Sequence, residues 1–249
     1  MTHRITVPGT YWFQQDETIT TPVPMISAVG VSYVNIILCG MRGIGYAGLT
    51  NTAAAIEATN CPGLRVVGIG ATLNGFGFGG RFTNCPGLDC SGLIVQQALW
   101  DGIYAEGDDM EIRNCRVDDV GGIQRDDPNT RCFGIQMKGT KIRMLDNTVG
   151  DVRATGDEEA CLFGTSEGSG IFKGNVGRFA QVRNRQFGIW GGGNTANDRM
   201  ETVYNTIQNA KKGADIGYGV LDHNTFIGCD TPWAINPNTQ IGAFNSVFP

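Results

Sequence analysis

Charge is scarce in this sequence: Asp, Glu, Lys and Arg together make up 17% of its 249 residues, against ~25% in an average soluble domain. The basic excess of a nucleic-acid binder is missing, since 19 Lys and Arg face 24 Asp and Glu for a net charge of −5. No nucleic-acid partner is expected from that balance, although a local basic patch can still meet a polyanion. No run approaches the ~18 apolar residues of a membrane-spanning helix, so no membrane partner is expected either. The segment after Met1-Thr2-His3-Arg4 lacks the apolar stretch of a secretory signal. The expected location is extracellular or virion-associated, with the export route left open by the sequence. Histidine occurs twice, and none of the eight cysteines (39, 61, 85, 90, 115, 132, 161, 229) stands in a CxxC or Cys/His metal spacing. Buried free thiols and one or two disulfides both remain open for them. Glycine shows no three-residue period, which excludes a collagen-like rod.

What is abundant is glycine, 37 residues in all, about twice the average usage of ~7%. With 12 Phe and a full complement of branched aliphatics, this composition points to a turn-dense, all-β chain. The order within it is repetitive. Thr-Asn-Cys-Pro-Gly-Leu occurs at 59–64 and again at 83–88, an offset of 24. Short apolar segments centre on Ile103, Ile135, Leu162, Ile189, Ile216 and Ile235, the middle four spaced by 27. Between them lie segments carrying Asn114, Asn147, Asn175, Asn205 and Asn224. Two alternating β-patterned segments separated by Gly, Asn and Asp turns describe a coil of 19–32 residues. One coil cannot bury its apolar face alone, so coils must stack.

Like residues recur at like places in each unit, which predicts parallel strands at ~4.8 Å rather than an antiparallel meander. Units such as GIQMKGTKIRMLDNTVGDV resemble the repeat of the right-handed parallel β-helix superfamily, which includes the pectate-lyase-like proteins. The opening ITVPGTYWFQQDETIT and the following VSYVNIILCGMRGIG are similar to the first strands of that superfamily. The resemblance spans about Ile5 to Phe244. It implies an all-β, single-stranded right-handed parallel β-helix of about ten rungs. One domain covers residues 1–249, with 1–20 as an N-terminal lead-in or cap and 241–249 as the C-terminal end. The superfamily holds lyases, hydrolases, epimerases, tailspikes and adhesins, so fold alone does not give function. The asparagines are expected to bond along the stack. Cys61 and Cys85 fall on equivalent positions of neighbouring coils.

With the six apolar centres inward, the next residues, Tyr104, Gln136, Phe163, Trp190, Gly217 and Asn236, face outward. Aromatic rings on such a face suit the flat faces of sugars. A neighbouring column contains Glu106, Lys138, Thr165 and Gly192. The predicted substrate-binding residues are therefore Tyr104, Gln136, Phe163, Thr165, Trp190 and Asn236. A loop such as 120–131 or 191–200, or an oligomer interface, is the alternative cover for this strip. Glu106 beside Lys138 suits removal of a proton next to a sugar carboxylate, and a surface ion pair is the plainer reading. Tyr204 and His223, each preceding an Asn, form a second candidate acid–base pair. Acidic pairs at 108–109, 118–119 and 126–127, with Asp101 in an inward register, raise calcium, with Asp101 and Asp108 as candidate ligands; turn-forming aspartate is the simpler role. No other cofactor is expected.

The function expected is that of a carbohydrate-active β-helix, a lyase or epimerase acting on an acidic polysaccharide in a groove across the rungs. The alternative is a non-catalytic, trimeric tail-fibre or adhesin-type rod, or a carbohydrate-binding rod.

Overall fold

A computed structural model describes residues 1–46, 51–121, 131–154, 159–191, 198–234 and 236–249. Its regular elements are strands, and each coil gives one strand to each of three parallel sheets. The first sheet stacks His3–Ile5, Ile26–Val29, Ala54–Thr59, Phe78–Thr83, Asp101–Glu106, the front of Cys132–Leu145, Ala160–Gly164, Gln186–Gly191, Lys212–Ile216 and Thr231–Trp233. The second runs from Gly9–Phe13 to Thr239–Ile241, the third from Glu17–Thr18 to Ser246–Phe248. Ten coils result, about 45–50 Å of rod at the parallel-strand spacing. The stack is a right-handed β-helix, the hand that twisted parallel strands favour.

The registers correct the expected inward column. Ile103, Ile135, Phe163, Ile189, Ala214 and Trp233 stack on one another. Phe163 takes the place expected of Leu162 and Ala214 that of Ile216, while Ile235 lies outside the described residues. The steps from 135 to 163, 189 and 214 are 28, 26 and 25 residues, not a constant 27.

Core volume explains the error. The residue just before this column points toward the third sheet, where there is room for one large side chain per coil. In five coils the first sheet supplies glycine (79, 102, 134, 188 and 213), because a Cβ there would run into Val95, Val117, Val149, Ile207 or Phe226 of the third sheet. In one coil the assignment is reversed. Leu162 fills the space, and the third sheet has Gly177, whose added Cβ would meet Leu162 Cδ1 at 2.7 Å and Phe163 Cε2 at 2.8 Å. Leu162 is thus a large residue in a column of glycines, and an apolar-centre count mistakes it for its neighbour.

The asparagines bond along the stack as expected, with one shift. At the turn from the second to the third sheet, Asn147, Asn175, Asn205, Asn224 and Asn245 form a ladder. Asn175 Oδ1 accepts both the N–H and the side-chain amide of Asn147, at 3.0 and 3.1 Å. Asn175 Nδ2 in turn donates to the Asn205 amide oxygen and to the Met144 carbonyl. Cys115, not Asn114, precedes Asn147 in the ladder, its N–H donating to Asn147 Oδ1 at 2.9 Å. Asn114 occupies the left-handed position one residue earlier, at φ +52°. None of the eight cysteines forms a disulfide. Cys61 and Cys85 donate to the carbonyls of Ala28 and Ala58, each one coil back.

Asn175→Ala should strand the Asn147 N–H, costing about 1–3 kcal/mol, read as a lower urea midpoint, while Asn205 Oδ1 keeps the residue-175 backbone N–H. Gly177→Val alone should cost about 1–3 kcal/mol by overpacking. Combined with Leu162→Ala, the loss should be smaller than the sum of the two single losses in a double-mutant cycle.

Candidate functional site

On the edge where the first sheet turns into the second, three successive coils place a charged residue directly before a glycine: Glu106-Gly107, Lys138-Gly139 and Glu167-Gly168. Glu106 and Lys138 are register partners. The Gly139 N–H donates to the Glu167 carbonyl at 3.2 Å, so the three side chains form a column stepping one coil, ~4.8 Å, at a time. The glycines have φ of +152°, +139° and +137°, values that side chains disfavour. A Cβ on Gly139 or Gly168 would collide with the carbonyl oxygen of the glycine one coil back. Glycine therefore lets the coils close at this edge and leaves a bare backbone floor beside the charged column.

A groove of about 380 Å³ opens there, lined also by Asn84, Pro86, Asp108, Thr140 and Asp198. Lys138 is its lining cation among the described residues, and none of the described carboxylates forms an ion pair with it. Glu106 instead accepts a hydrogen bond from the Tyr104 hydroxyl at 2.9 Å. Burial first, and then that carboxylate, push the half-buried Tyr104 phenol well above its ordinary pKa near 10. Asp108 Oδ1 accepts both the N–H and the hydroxyl of Thr140 at 2.8 Å. Those bonds hold its carboxyl below its usual value.

Two of the predicted sugar platforms stand on the outward face and one does not. The outward column is Tyr104, Gln136, Gly164, Trp190 and Asp215. Phe163 is fully buried in the core, because the true register turns it inward. The Phe133 ring lies over Gly164, where an added Cβ would meet it at 2.6 Å. It packs on Trp190 with centroids 6.1 Å apart, and the Arg131 guanidinium rests on the same indole at 5.8 Å. Trp190 is therefore partly covered. Thr165 is buried, not exposed as predicted, and its hydroxyl donates to the Glu167 carbonyl at 2.9 Å, bracing the turn that carries Glu167. Asn236 lies past the end of its strand, its side-chain oxygen accepting the Asn238 N–H. Asp215, not Gly217, follows Trp190 in this column. Gly192 and the Asp126–Asp127 pair lie outside the described residues.

Asp101 and Asp108 do not share a site. Asp101 is buried at the start of its strand, accepting the Phe133 N–H at 2.8 Å, whereas Asp108 lies beyond the other end. No three His, Cys, Asp or Glu side chains converge on a metal position among the described residues. Tyr204 and His223 are neighbours, with ring centroids 4.9 Å apart, on the turn between the second and third sheets. They stand on a different edge from Glu106 and Lys138. Asp222 holds His223 Nδ1 at 3.1 Å, and Phe244 stacks on its other side at 4.7 Å. Sequence reading missed Glu167, Thr140, Asp198 and Asn84. The signal for Glu167 was a charged residue followed by glycine on three successive coils.

The held Tyr104 proton has a measurable consequence. The neutral phenol favours the fold more than its anion does. Tyr104 therefore adds stability that is fully present below pH 10, where the unfolded chain still keeps its phenol proton. That contribution declines as the pH rises above 10. Spectrophotometric titration of the native protein should show a tyrosine that resists ionisation through the ordinary range, and Tyr104→Phe should remove that resistant component.

No model of a known protein family matches the chain, and no curated protein does. Among solved structures it is similar to the Agl-KA catalytic domain, at 12% identity and a TM-score of 0.32 over 98% of this chain and 62% of that one. The catalytic domain of a GH87 alpha-1,3-glucanase in complex with tetrasaccharides aligns at 10% identity and a TM-score of 0.32, over 98% and 64%. The tailspike protein of E. coli bacteriophage HK620 in complex with a pentasaccharide aligns at 9% and 0.31, over 99% and 60%. The chain thus spans about three-fifths of the length of these structures. With ten coils in three parallel sheets, the chain is a right-handed parallel β-helix protein carrying a charged groove along one edge.

Proposed function

We propose that this protein acts on an acidic polysaccharide laid along the groove, as a lyase or a C5 epimerase. The observation that carries the reading is the Glu106–Lys138 register pair above a glycine floor, with Tyr104 bonded to the carboxylate. Lys138 neutralises the uronate carboxylate, which makes the adjacent C5 proton removable. Glu106 takes that proton. In elimination the electron pair forms the C4–C5 double bond, the C4–O bond breaks, and the departing oxygen takes a proton from water. In epimerisation a proton returns to C5 from the opposite face. Glu167, one coil beyond Lys138, is placed on the far side of the cation from Glu106.

One observation favours the alternative of a trimeric, non-catalytic rod. On the outer face of the second sheet Trp12, Ile37 and Val67 stack in register. Trp12 is 59% exposed, and Ile69 in the adjoining column is 51% exposed. An apolar strip of that kind suits lateral association of copies.

On a panel of uronate polymers, with calcium and with a chelator, wild-type protein should produce the ultraviolet absorbance of an unsaturated uronate, or exchange C5 hydrogen with solvent. Glu106→Gln should lower that rate by about 10²–10⁴, and Lys138→Met should lower it on uronates. Silence in both assays across the panel, together with a trimeric mass by light scattering, would leave the rod reading in its place.

A further inference from the structure

The repeated Thr-Asn-Cys-Pro-Gly-Leu takes no part in the chemistry argued for Glu106, yet Asn84 and Pro86 of its second copy line the groove. The first copy stacks on it one coil further along the same edge. Thr59 pairs with Thr83, the Gly63 N–H donates to the Pro86 carbonyl at 2.8 Å, and Asn84 Nδ2 donates to Asn60 Oδ1 at 2.7 Å. One coil beyond, the Tyr33 N–H donates to the Pro62 carbonyl at 2.9 Å. Its ring lies against Gly63, where an added Cβ would come 2.9 Å from Tyr33 Cδ1. The turns of neighbouring coils therefore bring Asn60 and Asn84 together next to the groove, with Tyr33 stacked on Gly63 three residues further across the same edge.

Two features of this track are not needed to build the coil. Tyr33 is 74% exposed at φ +55°. A left-handed turn favours glycine, and so exposed a ring gains little from burial. The Asn84–Asn60 bond also leaves amide capacity over: both Asn60 N–H groups and the Asn84 oxygen remain for a ligand.

We propose that these turns are distal subsites of the groove, where further sugar residues of the same acidic chain lie along the axis away from Glu106. The proposal rests on reading the groove as a polysaccharide site. Asn60 and Asn84 bond sugar hydroxyls, and Tyr33 carries the C–H face of a ring at the far end. Tyr33 and Glu106 are three coils apart, about 14 Å along the axis. Only a chain several sugars long can reach both, so these residues select for length.

The test compares oligogalacturonates and oligomannuronates of two and about nine residues. Binding is measured by calorimetry in a Glu106→Gln background, and kcat/KM with Glu106 intact. Tyr33→Gly removes the ring while supplying the residue that the turn prefers, and Asn60→Ala removes the amide two coils from Glu106. Each should weaken the long oligomer about three- to tenfold and leave the short one unchanged. Tyr33→Phe should keep the affinity. Equal losses at both lengths, no loss on the long oligomer, or no binding of either by the parent protein would overturn the proposal. Binding of the long oligomer without turnover, weakened by Tyr33→Gly, would support the subsites while sinking the chemistry assigned to Glu106.

Discussion

Main-chain hydrogen bonds between coils are the constraint on which the rest of this molecule depends. Between the two end coils, every strand finds its backbone partners in the coils before and after it, 19 to 32 residues away in sequence. A coil on its own would leave those groups unpaired. Because the pairing is parallel and in register, the neighbours of a side chain are set by the stack and not by the sequence around it. Glu106 meets Lys138 and Asn147 meets Asn175 for this reason. The same rule lets core volume be traded inside one coil, as between Leu162 and Gly177, without disturbing the columns on either side.

The turns obey a second constraint, the need for left-handed residues. At the corner between the second and third sheets these are Gly40, Gly70 and Gly92, then Asn114, Asp146, Gly174, Tyr204 and His223. The residue that follows points inward. In the early coils it is Met41, Ala71, Leu93 or Cys115, simply part of the core. From Asn147 onward it is asparagine, which hydrogen-bonds to the coils on both sides. A buried amide survives there only because the ladder satisfies it, so each Asn requires the next. The ladder continues to Asn245, whose amide is bonded to the Leu221 and Gly242 carbonyls.

Much of this was legible in the sequence. The TNCPGL offset of 24 is a true register, since Thr59 pairs with Thr83. The asparagine spacing marks the ladder correctly from Asn147 on, and the coil count follows from the repeats. The register of the first sheet was not legible from apolar centres, because turn lengths vary from coil to coil and Leu162 occupies a glycine column. The residues that carry the register are the small ones. Gly102-Ile103, Gly134-Ile135, Gly188-Ile189 and Gly213-Ala214 align correctly, and Leu162-Phe163 joins them once Gly177 is recognised as its complement. That single-residue error moved Phe163 onto the surface and hid Glu167, which lies two residues past the buried Thr165.

The same accounting separates the two edges that could hold a ligand. At the ladder corner, the amides of Asn175, Asn205 and Asn224 are all bonded inward, and Asp222 holds the ring of His223. What that edge offers outward is mainly the rings of Tyr204 and Phe244. At the edge from the first sheet to the second, glycines 107, 139 and 168 close the coils, and no ladder of buried amides is needed to do it. Several of its side chains consequently keep bonding capacity that the fold does not use. Lys138 has no ion-pair partner among the described residues, and the Asn60 and Asn84 amides retain donors and acceptors. Polar capacity left unsatisfied at a surface groove is what a ligand can use, and in this molecule the bare glycine floor is what leaves it there.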